Sequence, residues 1–462
     1  MATLAPVLES LDSNFDTSLD RLFDLLRIQS ISTDPAYSAE CRKAAEWLVA
    51  DLTAIGFDAS VRDTPGHPMV VAHHDGPAGS PHVLFYGHYD VQPVDPLNLW
   101  DRDPFDPAID TDESGVKVIR ARGSSDDKGQ IMTFVEACRA YKAAHGALPC
   151  RISILFEGEE ESGSPSLKPF LEACKEELKA DFALVCDTGM WDRETPAIST
   201  GLRGLVGEEL TIHAANRDLH SGSYGGAAAN PIRVLAKIFA DMHDETGRVT
   251  IPGFYDGVEE TPTEILKSWE TLGETAESML APIGLSQPSG EQGRSVLELV
   301  WARPTAEFNG ITGGYTGPGF KTVIPAQASS KVSFRLVHKQ DPQKIRDAFH
   351  QFVEERLPAD CRAEWGKEHG GSPAIQLSYD APFLSKAQAA LSDEWPKPAV
   401  MIAMGGSIPI VGDFQIYLGM GSLLVGFGLS DDRIHSPNEK YDVESFRKGQ
   451  RSWARILDAL AK

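Results

Sequence analysis

The sequence predicts an α/β domain carried in two pieces, with a smaller α+β domain inserted between them. Three observations predict it. Short, β-rich apolar runs alternate with helix-patterned stretches up to about residue 199. Longer alternating strands and two amphipathic helices then follow. From about residue 386 the earlier pattern returns. The expected boundaries are 1–198 and 380–462 for the split domain and 199–379 for the insert.

In the first piece, apolar residues at Leu11, Phe15, Leu19, Leu22, Leu25 and Leu26 keep helical spacing and predict a helix over 11–28. A second helix is expected over 39–56, stopped by Gly56. Strands are expected at 69–72, 83–86, 116–119, 152–156 and 182–186, with helices at 130–145 and 166–177. The insert predicts strands at 206–214, 298–302, 331–337 and 374–378, and helices at 231–244 and 342–357, as one sheet with two helices on a face. A long acidic stretch, 244–292, separates the first of these helices from the next strand and should hold loops and short helices. After residue 386 come a helix, the run 400–403, a strand at 423–427 and a closing helix at 443–460.

Composition narrows the partners. With 43 Lys and Arg against 67 Asp and Glu, the chain carries a formal charge of −24. Nucleic-acid phosphates and anionic membrane surfaces repel such a chain, so neither is expected as a partner. No apolar run approaches the ~18 residues a membrane span needs. The N-terminal segment lacks the basic, apolar and small-residue sequence of a signal peptide. The six cysteines form no C-x-x-C pair and read as free thiols in the cytoplasm.

Five segments place acids or histidines at the ends of predicted strands or the start of a helix, where open α/β sheets bind ligands. In FYGHYD, His88 and Asp90 fall on one side of an extended chain. A neutral imidazole suits zinc, and a carboxylate behind it can orient the ring. Asp126 and Asp127, in GSSDDKG, open a helix. They read either as capping acids or as a carboxylate bridging two cations. Glu159, Glu160 and Glu161 follow a strand in FEGEEESGS. They read as a solvated acidic turn, or as a cation ligand beside a general base. Asp187 ends the strand before CDTG, and His435 lies in DRIHSPNE.

Taken together these segments resemble the dinuclear metallopeptidase family of carnosinase-type cytosolic dipeptidases, acetylornithine deacetylase, succinyl-diaminopimelate desuccinylase, aminoacylase and glutamate carboxypeptidase. GHYDVQPVDPLNLWDRDPF, ARGSSDDKGQ, FEGEEESGSPSL, GLRG, RDLHSGSYGGAAANP, GITGGYTGPGFKTVIPA, GGSIPI and RIHSPNEK are similar to the dipeptidase branch, in its order along the chain. The resemblance implies a discontinuous zinc-peptidase domain with a mixed central sheet between helices, and an inserted lid and dimerisation domain. It implies that His88 and Asp187 hold one metal, Glu161 and His435 another, and that Asp126 bridges them through a cis peptide to Asp127. Asp90 would sit behind His88 and Glu160 would be the general base. His220 would stabilise the oxyanion, reaching the active site of the partner in a homodimer. Asn309, Arg335, Gly406 and Ser407 would hold the substrate's carboxylate and backbone. Two zinc ions per subunit are expected, with manganese or cobalt as substitutes.

The activity implied is metal-dependent hydrolysis of dipeptides or short peptides with a free C-terminal carboxylate. An N-acyl-amino-acid deacylase on the same site is the alternative. A non-catalytic metal-stabilised binding protein would lack a base or a ligand. A serine hydrolase on Ser221 beside His220 has no G-x-S-x-G elbow to support it. His73, His74, Asp75 and His82 are set aside as strand-end or loop residues. Glu157 and Glu159 stay off the ligand set, and Asp127 is expected to cap its helix.

Overall fold

The computed structural model describes residues 3–367, 369–377, 379, 381–405 and 409–462. It divides into two compact units, one of Met1–Thr200, Leu377–Ile402 and Asp413–Lys462, the other of Gly201–Gln376 and Ala403–Gly412. The partition differs from the expected boundaries at Ala403–Gly412, which clusters with the second unit. There the Arg203 backbone N–H donates to Met404 O at 3.3 Å, and its side chain donates to Gly405 O at 3.1 Å.

The first unit is built on a mixed sheet. Its strands run in the order Asp58–Arg62, Met69–His74, Arg151–Glu157, His82–His88, Phe182–Val185, Ser422–Leu424 and Ala197–Leu202. The four from Arg151–Glu157 to Ser422–Leu424 are mutually parallel, in a register that sets His88 opposite Glu157 and Tyr86 opposite Val185. Their carboxyl ends therefore share one edge. Parallel strands covered on both faces read as continuous apolar runs, which is why they were visible in the sequence. The helices Lys128–His145 and Val443–Leu460 pack on the sheet through stacked Phe85 and Phe134 (3.7 Å between centroids), with Trp453 edge-on to both at 5.5 Å.

The N-terminal helix expected over 11–28 is two helices, Leu4–Ser13 and Phe15–Leu26. Asn14 breaks it, its side chain donating back to Ser10 O. The expected 166–177 helix is likewise divided, into Leu167–Ala173 and Lys175–Leu178.

In the second unit, an antiparallel sheet runs in the order Thr305–Gly313, Gln327–Leu336 and Gly204–His213, and both Arg362–Trp365 and His369–Ser372 pair with the last. Ala328, Val332, Phe334 and Leu336 alternate inward. They meet Leu235 and Ile238 of helix Pro231–Ala240 and Phe349 and Val353 of helix Pro342–Glu354 in one core. Asn230 and Asp341 cap these helices by accepting backbone N–H groups, each followed by proline at the first helical position.

One strand expectation is overturned. Residues 298–302 are not a strand: Val296–Trp301 is helical. Ser295 and Glu298 form a reciprocal capping box there, and that local hydrogen bonding outweighs the apolar run.

Candidate active site

Three parallel strands deliver side chains to the shared edge. His88 is the last residue of its strand, and Asp187 lies just beyond Phe182–Val185. Glu160 and Glu161 open a short turn, Glu160–Ser162, after Arg151–Glu157. Asp126 comes from the loop before helix Lys128–His145, and the Asp126–Asp127 peptide is cis. His435 comes from the turn between Ser422–Leu424 and Lys440–Asp442, with a left-handed backbone at φ 61. Such a conformation is uncommon outside glycine.

Among the described residues, two groups could each hold a cation: His88, Asp126 and Asp187, and Asp126, Glu161 and His435. Within each group the ligand atoms lie within 4.8 Å of one another. Asp126 belongs to both. Its Oδ1 lies 3.1 Å from His88 Nε2, and its Oδ2 lies 2.9 Å from His435 Nε2. Glu161 Oε2 is 3.2 Å from the same His435 nitrogen. His88 is wholly buried, whereas the His435 side chain is 53% exposed and marks the open side.

Asp90 lies behind His88, but its carboxylate does more for the glutamates than for the imidazole. His88 Nδ1 is 3.1 Å from the Asp90 main-chain oxygen and 3.4 Å from its carboxylate. That carboxylate accepts from Ser32 Oγ (2.6 Å) and from the backbone N–H groups of Glu161 (3.0 Å) and Glu160 (3.3 Å). It thereby fixes the turn that presents both glutamates. Gln92 Nε2 donates to Glu161 Oε2 at 2.6 Å and orients it. Ser32 and Gln92 carry no role in the sequence analysis, although Gln92 stands in GHYDVQ, because a hydrogen bond to a residue far along the chain leaves no spacing signal.

The other acids nearby have separate work. Glu157 accepts from Tyr86 Oη at 2.6 Å. Glu159 accepts from the backbone N–H groups of His67 and Ser166. Asp127 occupies the N-cap position but makes no side-chain cap. It accepts instead from the His88 N–H at 3.2 Å, so its expected capping role is replaced by a bond to the neighbouring strand.

Glu439 holds the Asp126 loop. Wholly buried, it accepts from the backbone N–H groups of Gly123 (3.0 Å), Ser125 (2.9 Å) and Asp126 (3.1 Å), and pairs with buried Arg122 at 2.7 Å. Truncating it strands a buried guanidinium. Glu439→Ala is expected to destabilise the protein by roughly 3–5 kcal/mol. The urea midpoint measures this, and a loss below about 1 kcal/mol, the worth of a surface pair, would contradict it.

The electrostatics are those of crowded, desolvated acids. Burial alone would lower the His88 imidazole, but its bonds to Asp126 and Asp90 outweigh burial and raise it well above its ordinary range. Asp126 and Glu161 raise His435 to about 10. Burial, with the Asp126 charge, raises Asp187 to about 6. Burial raises Glu160 to about 8 against the opposing charge of His88. Two imidazoles and three carboxylates converging in one cluster fit divalent cations of mixed nitrogen and oxygen preference. Positive charge held there would draw Glu160 back toward its ionised form.

In the second unit, the His220 ring Nδ1 accepts from Gly222 N–H at 2.9 Å, leaving Nε2 as the exposed ring donor. Asn309 and Arg335 line one cavity of about 580 Å³. Among the described residues Arg335 makes no ion pair, so it is not consumed by a salt bridge. Gly406 and Ser407 lie outside the described residues. The residues set aside have partners of their own: His73 and His82 both meet Ser153 Oγ at 2.8 Å, and His74 Nε2 meets Lys142 Nζ at 3.1 Å.

Known proteins resemble the chain over most of its length. The family model described as peptidase family M20/M25/M40 matches residues 84–459. The chain is 29% identical to a Cys-Gly metallodipeptidase of Candida albicans, over 96% of this chain and 95% of the relative. It is 27% identical to the beta-Ala-His dipeptidase of Homo sapiens, over 86% and 78%. Among solved structures it resembles an M20 family metallo-carboxypeptidase from Sulfolobus solfataricus, with a TM-score of 0.79 and 30% identity over 96% of this chain and 99% of that one.

Proposed function

The chain belongs to peptidase family M20/M25/M40, and from that premise we propose that it is a dinuclear metallodipeptidase for substrates with a free C-terminal carboxylate. Its chemistry is metal-dependent hydrolysis of the peptide bond of dipeptides. The observation that carries the dinuclear reading is the pair of ligand groups sharing Asp126, beside a glutamate whose turn Asp90 fixes.

His88 and Asp187 would hold one ion and Glu161 and His435 the other, with Asp126 between them. Zinc suits this donor set, and manganese or cobalt can replace it. Cations held there would supply Lewis acidity, lowering the pKa of a water molecule and drawing charge from the scissile carbonyl. Glu160 takes the proton from the attacking water and returns it to the departing amine nitrogen, as the new C–O bond forms and the C–N bond breaks. The Asp90 carboxylate holds the Glu160 and Glu161 backbone so that the base stays beside the ligands. His220 Nε2 donates to the oxygen that gains negative charge. Asn309 and Arg335, with Gly406 and Ser407, hold the substrate's carboxylate and backbone, the guanidinium fork matching a carboxylate in a bidentate pair.

In this reading, 1–198 with 380–462 is the catalytic domain, and 199–379 is a lid and dimerisation domain whose His220 serves the partner of a homodimer. Exposed Ile311 (60%), Tyr315 (47%) and Phe320 (93%) support a second copy there. They lie on or just after Thr305–Gly313, an edge strand, and apolar side chains on a free sheet edge favour strand pairing with another chain. No helix of the described residues is long and apolar enough to cross a membrane. Six free cysteines, four of them buried, favour a cytoplasmic location.

The test is a panel of dipeptides beside N-acetyl and N-succinyl amino acids, assayed before and after chelation. Dipeptide hydrolysis should vanish on chelation and return with added zinc, manganese or cobalt. A preference for the acyl amino acids would instead make the chain a deacylase on the same centre. Chelator-resistant activity would remove the metal-dependent mechanism altogether.

A further inference from the structure

We infer that Arg203 is a second arginine of the substrate-carboxylate subsite, acting beside Arg335 in the cavity of the second unit. The inference rests on the proposal that the substrate carries a free C-terminal carboxylate.

Four observations carry it. Arg203, Arg335 and Asn309 line the same cavity of about 580 Å³, a volume suited to a small ligand. Among the described residues the Arg203 side chain has one hydrogen bond, its Nε donating to Gly405 O at 3.1 Å. One terminal nitrogen, Nη2, lies beside Gly405, where a Cβ would come within 2.9 Å of it. Among the described residues it makes no ion pair, and neither does Arg335.

Two guanidiniums lining one cavity repel each other, and burial makes the repulsion worse. Burial, then the charge of Arg335, lowers Arg203 to about 10, with only Glu307 opposing. A structural arginine in such surroundings is normally paired with an acid. An arginine held through Nε, lining a cavity with a second arginine and, like it, in no ion pair among the described residues, is arranged to receive an anion from outside. The carboxylate of a peptide substrate is the anion this enzyme meets at every turnover. The anchor also explains the glycine: a side chain on Gly405 would displace the guanidinium.

The experiment compares a dipeptide with the same dipeptide amidated at its C-terminus, on the full-length, metal-loaded enzyme. Wild type should prefer the free acid. Arg203→Gln should lower kcat/KM for the free acid by on the order of ten- to hundredfold, mostly through KM, the worth of one charge-assisted hydrogen bond. The amide should change by less than about threefold. Arg203→Lys, which keeps the charge without the fork, should fall between them. An equal loss on both substrates would mean that Arg203 only supports Gly405, and unchanged discrimination would mean that it binds nothing; either overturns the inference. A wild type that does not prefer the acid removes the carboxylate reading itself, and this inference with it. Thermal melting and metal content of both variants separate misfolding from lost recognition, and Arg203→Lys keeps the question open to measurement should Arg203→Gln fold poorly.

Discussion

Glu160→Gln is expected to lower kcat on a dipeptide by roughly 10²–10⁴-fold, the usual contribution of a general base. KM and metal content should stay near wild type. The two expectations belong together because of how the turn is built. Asp90 accepts from the backbone N–H groups of Glu160 and Glu161, and those bonds are indifferent to the Glu160 side chain. Glu161 is separately oriented by Gln92. Glutamine keeps the shape of glutamate, so the ligands beside it should not move. What it loses is the capacity to accept a proton and release it. Neighbouring acids offer no substitute, because Glu157 is engaged by Tyr86 and Glu159 by the backbone of His67 and Ser166. Steady-state kinetics with elemental analysis of the same preparation measures both quantities. Near-normal turnover in this variant would remove Glu160 from the mechanism. A parallel loss of metal would instead make it a ligand.

The first unit was far more legible than the second, for a physical reason. Parallel strands buried on both faces must be apolar throughout, so His82–His88 and Arg151–Glu157 stood out, and a polar residue at their ends was conspicuous. The edge strand Thr305–Gly313 has most of its residues exposed or half-exposed. No alternation marks it, and it was missed although it carries Asn309. Local capping chemistry misled in the opposite direction, turning the apolar run after Ser295 into a helix. Within the site, motif resemblance reached the residues that would touch metal or substrate. It assigned no role to Ser32, Gln92 or Glu439, which hold them, although the last two stand inside the matching segments. Glu439 secures the Asp126 loop across more than three hundred residues of sequence. Ser32 and Gln92 contribute single hydrogen bonds. Such contacts exist only in three dimensions.

Asp126→Asn should have the largest effect on metal content, and it should differ in kind from substitution of any other ligand. Asp126 alone, among the described residues, belongs to both groups. One carboxylate oxygen faces His88 and the other faces His435. An asparagine keeps one acceptor oxygen and replaces the other with an NH₂ group, which donates hydrogen bonds and cannot ligate a cation. Whichever way the amide turns, one site gains a donor where it needs a lone pair, and both lose the shared negative charge. Asp187→Asn and His435→Ala, by contrast, each remove a ligand from one group only. Wild type should therefore retain two ions per chain and these two variants about one. Asp126→Asn should retain fewer than one, with activity falling together with metal. Elemental analysis after dialysis against a weak chelator gives the stoichiometry, and calorimetric titration of zinc gives the affinities. Thermal stability provides a second readout, since ligands that bind only the folded chain raise the melting temperature in proportion to the logarithm of their concentration. Added zinc should raise it steeply in wild type and weakly in Asp126→Asn. Two ions held firmly by Asp126→Asn would mean that the carboxylate does not bridge. Losses identical to those of Asp187→Asn would assign it to a single site, and the two ligand groups could then no longer be read as one dinuclear centre.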